Sequence, residues 1–355
     1  MEKNENIARK SICFVSETGR TENPLLDPSV RYRCYHPAEY LMENGHFSSV
    51  VSAAKFFDSP CLDYDVYVFH RPNIARANFP QIINALKRLN KRLIADYDDL
   101  IFGSEEIAME SSAVKNSTLT AEKAVAAFSN NLAGLREFDF VTASTEPLIE
   151  RVRQYHPAAT VAVLPNIVPN SILTVHESIG TPLRKRPATS IGYFAGTKSH
   201  DKDFPIVAEV LHRILLENPD FSLLIVGPVA IPSSLVALPN VSAAPVVNYL
   251  RLPSLMTMCA TVIAPLEKSA FNSCKSRVKF LEAAISGCRL VASPIPDMCV
   301  IGKNHMDLAA DANDWYEALS TPPDAKERAE LAMLNYAFLR SDLNVHGLEL
   351  LGELK

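Results

Sequence analysis

The sequence predicts an α/β protein made of two doubly wound parallel-sheet domains, and three observations carry that prediction. Short β-rich runs alternate with amphipathic helical stretches along most of the chain, the alternation is interrupted once, and after the interruption it starts afresh. In the first series Ile12–Ser16 reads as a strand and Pro37–Asn44 as a helix, followed by strand Val66–His70, helix Phe79–Leu89 and strand Arg92–Ala95. A long helical stretch near Ala121–Arg136, strand Phe138–Ala143, helix Pro147–Tyr155 and strand Val161–Leu164 complete it. The interruption, Pro165–Ser190, is rich in Pro, Asn, Ser and Thr and holds LRKRP, the composition of a connection rather than of a core element. The second series comprises strand Ile191–Ala195, helix Asp203–Leu216, strand Ser222–Val226, helix Leu252–Met258, strand Thr261–Ala264, helix Lys275–Ser286 and strand Arg289–Ala292. The expected domains are therefore 1–172 and 190–323, joined by a linker at 173–189 and followed by a helical tail at 324–355.

The chain has 355 residues, is 48% hydrophobic and carries a formal charge of −5, enough apolar material for two cores and too little positive charge for nucleic-acid binding. Its 7 cysteines show neither CxxC nor Cys/His metal spacing. Their odd number, without a secretion signal, implies reduced thiols in a cytoplasm and no structural metal. The polar start MEKNENIARK leads straight into a strand, and no apolar run approaches the ~20 residues that a bilayer crossing needs. The expectation is a soluble cytoplasmic protein, at most peripheral at the inner membrane surface.

In open parallel sheets ligands bind outside the carboxyl ends of the strands, so polar clusters that follow strands are the candidates. The most informative is Phe271–Ser293, FNSCKSRVKFLEAAISGCRLVAS. At helical spacing Lys275, Lys279, Glu282 and Ser286 form one stripe, and Val278, Leu281 and Ile285 another. Asn272 and Ser273 read as N-caps, Gly287 as the residue past the helix end, and Cys288–Ala292 as a buried strand. A helix start offers unpaired N–H groups and partial positive charge, so Cys274 to Ser276 with Lys275 and Lys279 would seat a diphosphate. Glu282, one turn deeper, would accept from ribose hydroxyls. The bland alternative is a solvated face on which Glu282 merely pairs with the lysines. A second cluster, GTKSHDKD, Gly196–Asp203, follows a strand and precedes a helix: Gly196 admits close backbone approach, and Lys198, His200 and Lys202 bring charge. It lacks the spacing of a Walker A loop. The third, ADYDD, Ala95–Asp99, ends a strand.

An ordered series of segments resembles bacterial glycosyltransferases of family 4 and their polysaccharide-assembly relatives. VTASTEPLIERVRQYHPAATVAVLPNIV, with Pro165 and Asn166, is similar to the entry to that family's linker; YFAGTKSHDKDF to its first donor-domain loop; LLIVGP and NYLRLPSLMTMCATVIAPLE to its base-side strands; and KSRVKFLEAAISGCRLVAS to its donor-binding helix. The resemblance implies the GT-B fold, two Rossmann-like domains facing a cleft. It also implies transfer of a sugar from a nucleoside diphosphate sugar to a glycan or lipid-linked acceptor, with retention of configuration and without metal or other cofactor. It places Lys202 on the diphosphate lysine and Glu282 on the second glutamate. The pattern's first glutamate is here Cys274 and its loop arginine is Thr197, so donor hydroxyls would fall to backbone near Asn272–Cys274 or to Glu267. Lys279, with Lys198 and Lys275, would stabilise charge on the leaving diphosphate. Asp98, Asp99 or His200 would act as base if the enzyme inverts; Asp98 and Asp99 serve equally as local caps, and His200 as a loop cap. Arg31 and Arg33 in SVRYRCYHP would meet an acceptor phosphate or lie at the surface, and the basic stretch Lys87, Arg88, Lys91 and Arg92 would touch anionic lipid or water. Three further readings stay open: a metal-dependent GT-A enzyme through Asp96-Tyr97-Asp98, a sugar-nucleotide epimerase, and a non-catalytic scaffold.

Overall fold

The computed structural model describes residues 9–179, 186–196 and 202–341 of the 355. By contact the chain divides into two units, one running through Asn170 and the other from Ser171, with 116–118 joining the latter. The first unit carries a parallel six-stranded sheet: β1 (Ser11–Ser16), β2 (Phe47–Ser52), β3 (Val66–His70), β4 (Arg92–Tyr97), β5 (Phe140–Ala143) and β6 (Thr160–Val163), in the order β2-β1-β3-β4-β5-β6. β3 is buried along its full length, and so is β4 beyond Arg92, which is why both read as unbroken apolar runs with no alternation. β2 lies at the sheet edge with Phe47 exposed, and its serine-rich FSSVVS gives no strand signal in the sequence.

A helical run from Pro28 to Glu43 follows β1, well ahead of the expected start at Pro37. Asp27 caps it by accepting from the Ser29 N–H at 3.1 Å. Its turns at Arg31–Tyr35 are π-helical, and Arg31, Tyr32, Arg33 and Cys34 are all buried. The wider turn turns four consecutive side chains inward, a pattern that 3.6-residue periodicity cannot anticipate.

The second unit carries another six-stranded parallel sheet of different strand order, with β7 (Ser190–Phe194), β8 (Ser222–Val226), β9 (Val241–Ala244), β10 (Thr261–Ala264), β11 (Arg289–Ala292) and β12 (Asp307–Leu308) ordered β12-β11-β10-β7-β8-β9. Its core joins Tyr193, Ile225 and Ile263 of the sheet to Val207, Leu211 and Ile214 of the helix Pro205–Glu217 and to the fully buried Trp315. The expected linker is partly helical, since Asn170–Ile179 forms a helix whose Leu173 is buried. Of the tail, Ala325–Ser341 is helical and residues beyond 341 lie outside the described set. Its Tyr336 hydroxyl donates to the Leu173 carbonyl at 2.9 Å.

Candidate active site

The second sheet reverses its strand order between β7 and β10, so the loops after these strands meet at a topological switch point. Asp203, 4% exposed, fastens them: one carboxylate oxygen accepts from the Glu267 N–H at 2.9 Å and from the Asn272 amide at 3.2 Å. The same amide donates to the Glu267 carbonyl at 2.9 Å. Asn272 therefore holds the loop after β10 in shape. Gly227, at the end of β8, has φ +116, and a Cβ there would lie 1.9 Å from the Ala195 carbonyl, so the backbone approach requires glycine. Among the described residues other than its chain neighbours, no atom lies within 4 Å of a Cβ built on Gly196. Lys202 is exposed beside Asp203, while Thr197, Lys198 and His200 fall outside the described residues.

The helix expected at 275–286 is Val278–Ile285, and a separate short helix, Ala270–Ser273, precedes it. This corrects the capping assignment. Ser269 caps the first helix, accepting from the Asn272 N–H at 3.0 Å, so Asn272 and Ser273 lie inside it. The Ser273, Cys274 and Lys275 N–H groups are bonded to Ser269, Phe271 and Asn272 carbonyls, so they are not the unpaired donors expected there. The chain turns because Cys274 is buried and Asp297 captures Arg277: its carboxylate accepts from the Arg277 backbone N–H at 2.6 Å and from the guanidinium at 2.7 Å, with both side chains under a tenth exposed.

The helix start is thereby displaced to Val278. Among the described residues the N–H groups of Val278, Lys279 and Phe280 meet no acceptor, as the opening turn of a helix dictates. Lys279 and Glu282 share a face, with Nζ 2.8 Å from the carboxylate. The helix closes as the sequence predicts: Gly287, at φ +62, donates to the Ala284 carbonyl, and Cys288 to that of Ala283. Lys275 and Ser276 are half-buried in the turn between the two helices.

At the carboxyl edge of the first sheet the charges are tied together. Arg33, 1% exposed, donates to Asp96 at 2.5 and 2.9 Å, to the Leu164 carbonyl at 2.5 Å and to the Asn166 side chain at 2.9 Å. Asp96 also accepts from the Thr142 hydroxyl at 2.6 Å. Arg33 thus clamps three strand ends to the π-helical turn, and the expectation that it meets an acceptor is corrected: burial and four bonds remove it from solvent. Arg31 is buried too, donating to the Leu25 carbonyl at 3.3 Å with its guanidinium 5.4 Å from the Tyr32 ring centre.

Asp98 accepts a bidentate pair from Arg71 at 2.7 and 2.9 Å and a bond from the Ser29 hydroxyl, and His70 Nε2 lies 3.4 Å away. Burial opposes the charge, but Arg71, His70 and their hydrogen bonds outweigh it and hold the Asp98 carboxyl well below its ordinary range. A carboxylate so held is a poor proton acceptor, which corrects its assignment as a base. Asp99 is a third exposed and accepts from Arg71 at 3.3 Å. With Asp96 and Asp98 each matched to an arginine, the metal-binding reading of Asp96-Tyr97-Asp98 fits poorly. Among the described residues no three His, Cys, Asp or Glu converge as a metal site. The partners that sequence reasoning missed, Ser29, His70, Arg71, Asp203, Arg277 and Asp297, carry no local signal; only the tertiary pairing reveals them.

No family model and no curated protein sequence matches this chain. Solved structures do resemble it. HepE of Anabaena, in complex with UDP and glucose, is 14% identical with a TM-score of 0.55, covering 94% of this chain and 95% of its own. An alpha-glucosyltransferase in complex with UDP-glucose and DNA is 12% identical with a TM-score of 0.63, covering 93% and 95%. A UDP-forming α,α-trehalose-phosphate synthase of Burkholderia xenovorans is 12% identical with a TM-score of 0.54, covering 91% and 84%. The fold of this chain is that of the GT-B glycosyltransferases.

Proposed function

We propose that this chain is a glycosyltransferase that moves a sugar from a nucleoside diphosphate sugar to an acceptor hydroxyl, with UDP as the nucleotide. One observation carries the reading: at the carboxyl edge of the second sheet, a helix opens with three N–H groups that meet no acceptor among the described residues and with Lys279 and Glu282 on one face. An opening turn of this kind receives a diphosphate through N–H donors and partial positive charge, and Lys279 adds a full one. Glu282, now bonded to Lys279, accepts from ribose hydroxyls when the ammonium turns to phosphate. Lys202, Lys198 and Lys275 supply further cations, so charge on the departing diphosphate is met without a metal. The buried Asp203 and Asp297, with the half-buried Asn272, position this seat and touch no substrate. The neighbours that bind UDP or UDP-glucose support the choice of nucleotide.

Asp98 is committed to Arg71, so we assign it no base role. The resemblance to family 4 implies transfer with retention, the leaving phosphate taking the acceptor proton. The motif order points to family 4 and to a glycan or lipid-linked acceptor in polysaccharide assembly at the cytoplasmic membrane face. No described helix is long and apolar enough to cross a membrane. The burial of Cys274 where the family pattern has a glutamate favours one second reading, a nucleotide-binding protein without transfer.

Calorimetry of the chain with UDP, GDP, dTDP, ADP and CMP, with and without magnesium, tests the proposal, followed by assay of UDP-glucose for release of UDP. Metal-independent UDP binding with release is expected. Binding without release leaves the second reading, and a lack of binding to every nucleoside diphosphate overturns both.

A further inference from the structure

The amino edge of the first sheet, opposite the edge described above, holds a cavity of about 730 Å³ lined by the starts of β3, β4 and β5 and the loops before them. Four cations line it: Lys10, Lys87, Lys91 and Arg92. Three carboxylates share the wall: Asp65 accepts from the Ser11 backbone and hydroxyl at 2.8 Å each and its charge also faces Lys10 and Lys91, while Glu137 pairs with Lys87 at 3.1 Å. Asp139 is the third. The helices Phe79–Arg88 and Ala121–Leu135 end at this edge, and the negative end of a helix dipole accounts for Lys87.

Arg92 is different. Its guanidinium stacks 3.3 Å from the Phe140 ring centre, its Nε is sealed from solvent without a hydrogen-bond partner, and among the described residues it pairs with no carboxylate. Burial alone lowers its pKa, with no acidic neighbour acting against that. A sealed N–H without an acceptor is costly, and the side chain as a whole is only half-buried, which leaves its terminal nitrogens to reach a ligand. The ring holds the planar fork in place, the geometry that suits bidentate phosphate recognition.

We propose that this cavity is a second ligand site, one that takes a phosphate group on Arg92 with Lys91 and Lys10 beside it. It is separate from the nucleotide seat. The half-exposed Leu89 on its wall suits a phosphate that carries an apolar or glycerol portion, either a soluble phosphomonoester or a phospholipid headgroup.

The test uses the full chain and its Arg92→Gln, Lys91→Gln and Lys279→Ala variants, each first checked by melting temperature. Calorimetry with sn-glycerol 3-phosphate and co-sedimentation with phosphatidylglycerol or phosphatidylcholine vesicles are the two readouts. Saturable glycerol 3-phosphate binding that weakens at least tenfold in Arg92→Gln, and several-fold in Lys91→Gln, supports a soluble ligand. Phosphatidylglycerol-selective sedimentation lost in the same variants supports a headgroup. The proposal is overturned if neither probe binds, if binding survives both substitutions, or if only Lys279→Ala abolishes it.

Discussion

At the carboxyl edge of the first sheet Arg33, Arg71 and Arg76 are each bonded to a carboxylate, and the Arg33–Asp96 pair is fully enclosed. At the same edge of the second sheet the buried pair Arg277–Asp297 stands behind an opening helical turn whose N–H groups meet no acceptor among the described residues. Both sheets are six-stranded and parallel, though their strand orders differ, and the two edges differ in how charge is spent. The first edge uses its arginines to lock strand ends to a π-helical turn. The second uses one pair to aim a turn outward, which leaves donors available to a ligand.

The largest expected effect breaks the lock. Asp96→Ala leaves Arg33 buried without its partner and should cost about 3–5 kcal/mol, read by urea unfolding. The matching change at the other edge, Asp297→Ala, should destabilise by a similar amount and also weaken UDP binding. Equal UDP affinity in folded Asp96→Ala and Asp297→Ala would erase the contrast between the edges.

Acid should act mainly on the first unit. Burial holds His36 neutral, with its pKa lowered to about 4, while its Nδ1 lies 2.9 Å from the Ile167 carbonyl. The unfolded chain takes up that proton first, so the contribution is complete above the ordinary histidine value of ~6.5 and is lost as pH falls toward about 4. The span corresponds to roughly 3 kcal/mol. Melting curves across that range should decline, and His36→Asn, whose amide can keep the Ile167 bond, should decline less. An identical slope would remove His36 from the account.

Smaller effects sharpen the reading of the second edge. Lys279→Ala should weaken UDP binding by about 10- to 100-fold, the worth of a charge-assisted bond of ~1.5–3 kcal/mol, with little change in melting temperature. Unaltered affinity there would return the Lys279–Glu282 pair to a solvated face. Glu282→Ala should cost UDP about 1 kcal/mol and leave pyrophosphate binding unchanged, because pyrophosphate has no ribose for it to hold. A stability loss without that selectivity would make Glu282 structural.

The sequence alone determined the two α/β series and most of the interior strands, because a strand buried on both faces must be an apolar run; Val66–His70, Ser222–Val226, Thr261–Ala264 and Arg289–Ala292 have the predicted bounds. It missed β2, β9 and β12, which end their sheets and need no such run. The helix stop at Gly287 was legible for a local reason, the left-handed backbone that glycine tolerates. The helix start was not, because Asp297, which fixes Arg277, lies 20 residues further along the chain. The role of Asp98 stayed open for the same reason, its partners Arg71 and Ser29 being 27 and 69 residues away. Periodicity and turn chemistry report interactions within a few residues, whereas the charge pairs that decide which carboxylates and N–H groups remain available form only when the strand ends are brought together.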